Sequence, residues 1–171
     1  ADILDAAYKG EKQFDGKATT NLRALGALYP ETVQLVVRAN SGISTFTDLK
    51  GKSVSSGSPG SGQWQLLGDL LVSHGLKRET DVKEDYSSFA QSVEKIKDGN
   101  LDASLITAGT PTASVTELAN AHDIRIVPLS GPAIDKLREV QPYYAKVVLP
   151  AGTYKGQDAD VQTIAVRAIW A

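Results

Sequence analysis

A chain of 171 residues is long enough to bury a real core, as one domain or as one domain plus part of another. Its 42% hydrophobic and 22% charged residues are ordinary for a globular protein, and a net charge of −2 without a basic block speaks against a nucleic-acid or polyanion partner. With no cysteine, thiol chemistry, disulfides and cysteine-ligated zinc are excluded.

No apolar run is long enough to cross a bilayer, so the chain is read as not itself membrane-inserted, and no signal-peptide pattern stands at its start. Methionine is absent, position 1 included. Val161–Ala171 (VQTIAVRAIWA) reads as a β-like apolar run that stops without turn or cap residues. The expectation is a processed or excised piece of a longer protein.

In chain order, Ile3–Lys9 reads as the end of a helix closed by Gly10, and Glu11–Thr20 as a loop. Two β-runs follow, Leu22–Leu28 and Val33–Arg38, split at Tyr29-Pro30-Glu31 because proline removes a ladder donor. Asn40–Lys50 is a turn followed by one helical turn.

Lys52–Gln63 (KSVSSGSPGSGQ) is the centre of the pattern: a short β-run, Ser53–Gly57, a glycine-rich turn, and a helical repeat. Trp64, Leu67 and Leu71 lie at i, i+3 and i+7 with Leu66 and Leu70 on the flank, and Gly75 stands where a left-handed terminator belongs. The first N–H groups of such a helix have no intrahelical partner and sit at its positive end, a seat for a carboxylate or phosphate. Known glycine motifs fail on identity. A P-loop needs Lys and Ser/Thr where Gln63 and Trp64 stand, a dinucleotide fingerprint needs glycine at Gln65, and a nucleophile elbow needs glycine at Pro59. A tight turn with no ligand is the alternative.

Beyond it, Lys83–Tyr86 is a strand, and Ser88 with Gln91 makes a capping box ahead of a helix whose stripe is Phe89, Val93 and Ile96. Leu101–Thr107 is a buried-type strand. Thr110 is expected as N-cap and Pro111 as the first residue of a helix with Val115, Leu118 and Ala119 inward. Ile124–Leu129 is a strand, Ala133–Val140 a helix, and Pro142–Gly156 an irregular return. Strands alternating with helices indicate βαβ units, a parallel sheet, and ligand binding at the carboxyl ends of its strands. Three turns qualify: Gly57–Gly62, Tyr86–Phe89 and Thr107–Thr112. All are rich in small and hydroxylic residues.

LYPE (Leu28–Glu31), DLKGK (Asp48–Lys52), PGSG (Pro59–Gly62), YSSFAQS (Tyr86–Ser92), DGNLDASLITAGTPTA (Asp98–Ala113) and PAGTYKGQDADV (Pro150–Val161) occur in this order. Together they resemble the TAXI family, the extracytoplasmic solute receptors of tripartite ATP-independent periplasmic (TRAP) transporters. The resemblance implies an α/β fold of the periplasmic binding protein type II kind, two lobes closing on a solute. One nearly complete parallel or mixed-sheet lobe and part of a second would be present. Residues 1–50 would be a partial first lobe, 51–158 the second lobe, and 159–171 a crossover strand returning to the first. It further implies a periplasmic location, a small anionic solute such as a glutamate- or glutamine-like carboxylate or an organic acid, and TRAP permease subunits as partners. No cofactor and no metal are implied. The ligand-facing residues would be Ser58, Ser61, Gly62 and Gln63 on the first turn, Ser88 and Phe89 on the second, and Thr107, Gly109, Pro111 and Thr112 on the third. Tyr29 would reach in from the first lobe, and the solute's carboxylate would take the N–H groups and hydroxyls at Ser61–Gln63.

Plainer readings stand beside these. Ser88 caps its helix whether or not it meets a ligand, and Trp64 is expected in the core rather than as a stacking platform. Tyr143, Tyr144 and Tyr154 fit lobe packing or a permease-facing surface. His74 and His122 are isolated from each other and from carboxylate clusters, and Asp98, Asp102 and Asp123 read as turn residues. No catalytic group is expected. The alternatives are an enzyme on the same cleft, which would need a base or metal at these turns, and an effector-binding sensor domain with an output module elsewhere.

Overall fold

A computed structural model describes residues 1–171. Its elements run α1 (Asp2–Lys9), β1 (Gly26–Arg38), β2 (Ser53–Ser55), α2 (Gly62–Ser73), α3 (Arg78–Asp81), β3 (Lys83–Asp85), α4 (Phe89–Lys97), β4 (Ala103–Ala108), α5 (Ala113–Ala121), β5 (Ile124–Val127), α6 (Pro132–Val140), β6 (Ala145–Leu149) and β7 (Val161–Trp170). All seven strands join one mixed sheet in the order β3-β2-β4-β1-β7-β6, with β5 on β1. β2 pairs in parallel with β3 and β4, while β1 is antiparallel to β4, β5 and β7. The α/β class with a mixed sheet is as expected; the parallel part is confined to β3-β2-β4.

β1 runs through the middle. Thr32 faces both Ala108 of β4 and Ala165 of β7, so these strands take opposite edges, and β5 continues the β7 edge from Leu35 to Arg38. Alternation along β1 then makes two cores. Val33, Leu35 and Val37 join the α2 leucines, Ile134 and Leu137 of α6, and Ile164 of β7. Val36 joins Val93, Ile96, Val115 and Leu118 of α4 and α5 on the other face. The result is a three-layer α/β/α sandwich. Each fully buried aliphatic side chain contributes about 1.5–3 kcal/mol.

The structure corrects four local expectations. Leu22–Leu28 and Val33–Arg38 are not two runs: β1 is continuous from Gly26, and the register shift between Ala27 and Pro30 absorbs the missing donor as an irregularity, not a break. The Pro142–Gly156 return contains strand β6, paired to β7 from Ala145 to Leu149. Thr112, not Thr110, is the N-cap of α5, and Thr110-Pro111 is a cis peptide in the turn before it. Trp64 is half-buried, not core. The Arg78 guanidinium lies 3.9 Å from its ring centroid, and the same arginine reaches Glu84 of β3 at 3.0 Å. Gly68 permits this, because a Cβ there would stand 2.9 Å from Arg78 Nη2. Ser56 Oγ donates to the other Glu84 oxygen at 2.9 Å, so the first turn is tied to β3.

The proposed lobe boundary at residue 50 is not a break in the sheet, since β1 pairs with β4 from Thr32 to Val37. Of the tyrosines, Tyr144 and Tyr154 are buried. Burial, and then the Asp69 carboxylate, push the Tyr144 phenol far above its ordinary range; its O–H donates to Asp69 at 3.0 Å, where Lys12 also ends at 2.8 Å.

Candidate functional site

Because β3, β2 and β4 lie side by side and parallel, their carboxyl ends face one rim, and each leads through a short turn into a helix. Ser61 caps α2 and its Oγ accepts from Trp64 N–H at 3.2 Å. Ser88 caps α4 in the expected capping box with Gln91. Thr112 stands at the head of α5. The N–H groups of Gly62 and Gln63, of Phe89 and Ala90, and of Ala113 and Ser114 precede any intrahelical acceptor. Three positive helix ends therefore share one edge of the sheet.

The turns are joined crosswise. Ser55 Oγ donates to Ser87 O at 3.2 Å, Gln63 Nε2 donates to Leu105 O of β4, and Ser92 of α4 meets Ser104 of β4 at 2.8 Å. Tyr29 is exposed on the part of β1 that runs toward β4's exit, where Thr32 faces Ala108. Ser58, Gly109 and Pro111 are exposed, Ser61, Gly62, Gln63, Phe89 and Thr107 half-buried, and Thr107 Oγ1 has no hydrogen-bond partner. Ser61, Ser88 and Thr112 thus lie on adjacent turns, and no hydrogen bond joins them directly. Five cavities of about 230–400 Å³ lie away from these turns.

Thr112 has little left for a ligand. Its N–H donates to Tyr154 Oη at 2.8 Å, and its hydroxyl accepts from Gln34 Nε2 at 3.0 Å and donates to Gly109 O at 2.9 Å. Tyr154 Oη in turn donates to Gln34 Oε1 at 2.5 Å. Gln34, fully buried on β1, and Tyr154, from the PAGTYKG stretch, thereby hold the third turn in place. The sequence reading missed both as site elements. A glutamine inside the apolar run Val33–Val37 was the available signal, since a buried amide needs partners.

Two carboxylates also stand near the rim. Asp2 is 7% exposed, and its oxygens lie 3.3 and 3.5 Å from where a Cβ on Gly62 would be. Glu31 on β1 is held above the ordinary carboxylate range by burial, with Asp2 adding to the shift against the chain's amino group. A third carboxylate, Asp85, ends β3 at the rim; burial pushes it up, but hydrogen bonds from Lys95 and Ser87 outweigh it and hold the group low.

A family match now covers the whole sequence, residues 1–171. The chain belongs to the NMT1-like family. Among solved structures, this NMT1-like chain is similar to the periplasmic aliphatic sulphonate binding protein SsuA from Escherichia coli, with 28% identity over 57% of this chain and a TM-score of 0.48. It is also similar to an ancestral arginine-binding protein bound to arginine (20% identity, 82% of this chain and 70% of that one, TM-score 0.49). A third is a periplasmic binding protein from Brucella ovis with glutathione bound (13% identity, 96% of this chain, TM-score 0.48). The chain spans 32% of the sulphonate-binding protein's length and 45% of the Brucella protein's. No helix is long and apolar enough to cross a membrane.

Proposed function

We propose that the NMT1-like chain is part of an extracytoplasmic solute receptor, of the TAXI type that serves TRAP transporters. It captures a small carboxylate at the rim formed by its three βα turns and presents the closed form to membrane permease subunits. One observation carries the reading: three neighbouring parallel strands deliver three helix N-termini, dressed with serine, threonine and glycine, to a single edge. Such ends stabilise an oxyanion through N–H groups that lack other acceptors, at about 1.5–3 kcal/mol for each charged hydrogen bond. The TAXI motifs supply the subtype, and with it a periplasmic setting.

The ligand contacts we assign are Ser58, Ser61, Gly62 and Gln63, Ser88 and Phe89, Thr107, Gly109 and Pro111, with Tyr29 closing from the far side. Thr112 belongs to the same turn and orders it. Closure works as a population shift, because a solute touching both sides of the cleft favours the shut form.

The test is a thermal-shift screen of amino acids and dicarboxylates, with the hit confirmed by calorimetry. A solute at 100 times its Kd should stabilise the fold by about 2.7 kcal/mol. Gly62→Val, which places a branched side chain at the head of α2, should abolish the shift. A hit whose affinity is unchanged in Gly62→Val removes the first turn from the site.

A further inference from the structure

One of the five cavities, of about 400 Å³, runs along one side of α2 and is bordered by α3. Its volume falls in the range of about 300–1,000 Å³ usual for small-molecule pockets. Gln65, Gly68 and Val72 reach it from one face of α2, as their helical spacing requires, and Leu71 and Leu76 add apolar wall. Gln65 is the unusual member. It is only 5% exposed, and neither its Oε1 nor its Nε2 has a hydrogen-bond partner. A buried amide in that state carries the desolvation cost of both atoms with no return. Arg78, in the same groove, repeats the pattern: Nη2 donates to Trp64 O and Nε lies 3.0 Å from the Glu84 carboxylate, while Nη1 is buried and unpartnered. One acceptor and two kinds of donor thus line the groove unused.

We propose that this groove is a second small-molecule site, separate from the rim, and that it takes a neutral carboxamide carried on an apolar or aromatic body. The charges around it cancel. Lys12 sits on Asp69 at 2.8 Å, Arg78 on Glu84, and the exposed Lys77 and Glu79 at the mouth are of opposite sign. A ligand carbonyl can accept from Gln65 Nε2 and Arg78 Nη1, and its NH2 can donate to Gln65 Oε1. A carboxylate has no proton for Oε1 and would set a negative oxygen against it. The body of the ligand lies on Leu71, Val72 and Leu76. The inference goes beyond the receptor reading and does not depend on it, since the rim selects a negative group and the groove a neutral one.

The experiment uses benzamide as the probe and benzoate as its charged counterpart. The 15N-labelled chain is titrated with each, following the Gln65 side-chain amide and the Gly68 backbone amide, with Phe89 and Ala90 at the rim as an internal reference. Benzamide should give saturable shifts at Gln65 and Gly68 and none at Phe89 and Ala90. Half-saturation with benzoate should need about tenfold more ligand, the size of the hydrogen bonds lost at Gln65. Gln65→Met keeps the length of the side chain and removes both polar atoms. It should melt no lower than the parent, because the unpaired amide is gone, and should raise benzamide half-saturation at Gly68 about tenfold. Val72→Trp, at a wall position that is 77% exposed, fills the groove without entering the core and should abolish the Gly68 shift. The inference is overturned by a parent that does not respond to benzamide, by benzoate binding as well as benzamide, or by an unchanged titration in either variant. A lower melting temperature in Gln65→Met overturns it too, since the amide would then be bonded inside the fold. None of these results bears on the rim.

Discussion

From Thr32 to Val37, strand β1 is buried on both faces, with β4 on one edge and β7 and β5 on the other. From Gly26 to Pro30 the same strand pairs only with β7, and Leu28 and Tyr29 are 57% and 54% exposed. Apolar character is similar in the two halves, so hydrophobicity did not decide their fates. Neighbours did. The inner half has helices over both faces; the outer half is a two-stranded ribbon, an arrangement of marginal stability by itself. The border falls at Pro30 and Glu31, just past the register shift between Ala27 and Pro30, and there the proposed cleft begins. One continuous strand therefore serves as core at one end and as a reaching arm at the other.

The sharpest way to break this contrast is truncation. Leu35→Ala should cost about 2–5 kcal/mol by leaving a cavity between β1 and α2, whereas Leu28→Ala should stay within about 0.5 kcal/mol. Urea unfolding of the two variants measures it, and similar losses would mean that the ribbon is as firmly built as the core. A smaller effect should come from Tyr154→Phe, which strands Thr112 N–H and Gln34 Oε1 at the inner end of the border. The expected loss is about 1–3 kcal/mol, together with faster amide exchange at Thr112; unaltered exchange would show that the turn orders itself.

The smallest effect concerns Glu31. Its folded pKa is raised, so ionised Glu31 opposes folding above that pKa, and the penalty fades as pH falls toward the unfolded value. Glu31→Gln should accordingly be more stable than the parent at neutral pH, with the gap closing in acid. Thermal melts from pH 3 to pH 7 would show it, and a gap that widens in acid would reverse the sign argued here.

Much of this was legible in the sequence because it is local. The Leu66, Leu67, Leu70 and Leu71 stripe, the Ser88–Gln91 box and the Val115–Leu118 face all follow from spacing within a single helix, and the structure has each of them. What escaped depends on contacts between distant segments. Gln34 and Tyr154 are 120 residues apart, and nothing in either neighbourhood names the other. Trp64 read as core because its spacing matches the leucines; the cation that stacks on it comes from Arg78, beyond the helix end. Strand β6 was hidden because Ala145–Leu149 is short and exposed along much of its length, and pairing with β7 alone defines it. The three turns were found, because each lies within a few residues of the strand and helix it joins.

The Thr163 hydroxyl donates to Val33 O at 2.6 Å across 130 residues of chain, one of the ties that fasten β7 to β1. Long loops close slowly, so the order of assembly follows from the wiring. The βα units between Ser53 and Ala121 use short connections and are suited to collapse early, leaving the middle of the sheet with one ragged edge until β7 arrives. During that interval the β1 edge that β7 will cover is an open template for foreign strands, and the time the chain takes to seat β7 sets how long it needs protection from its own neighbours.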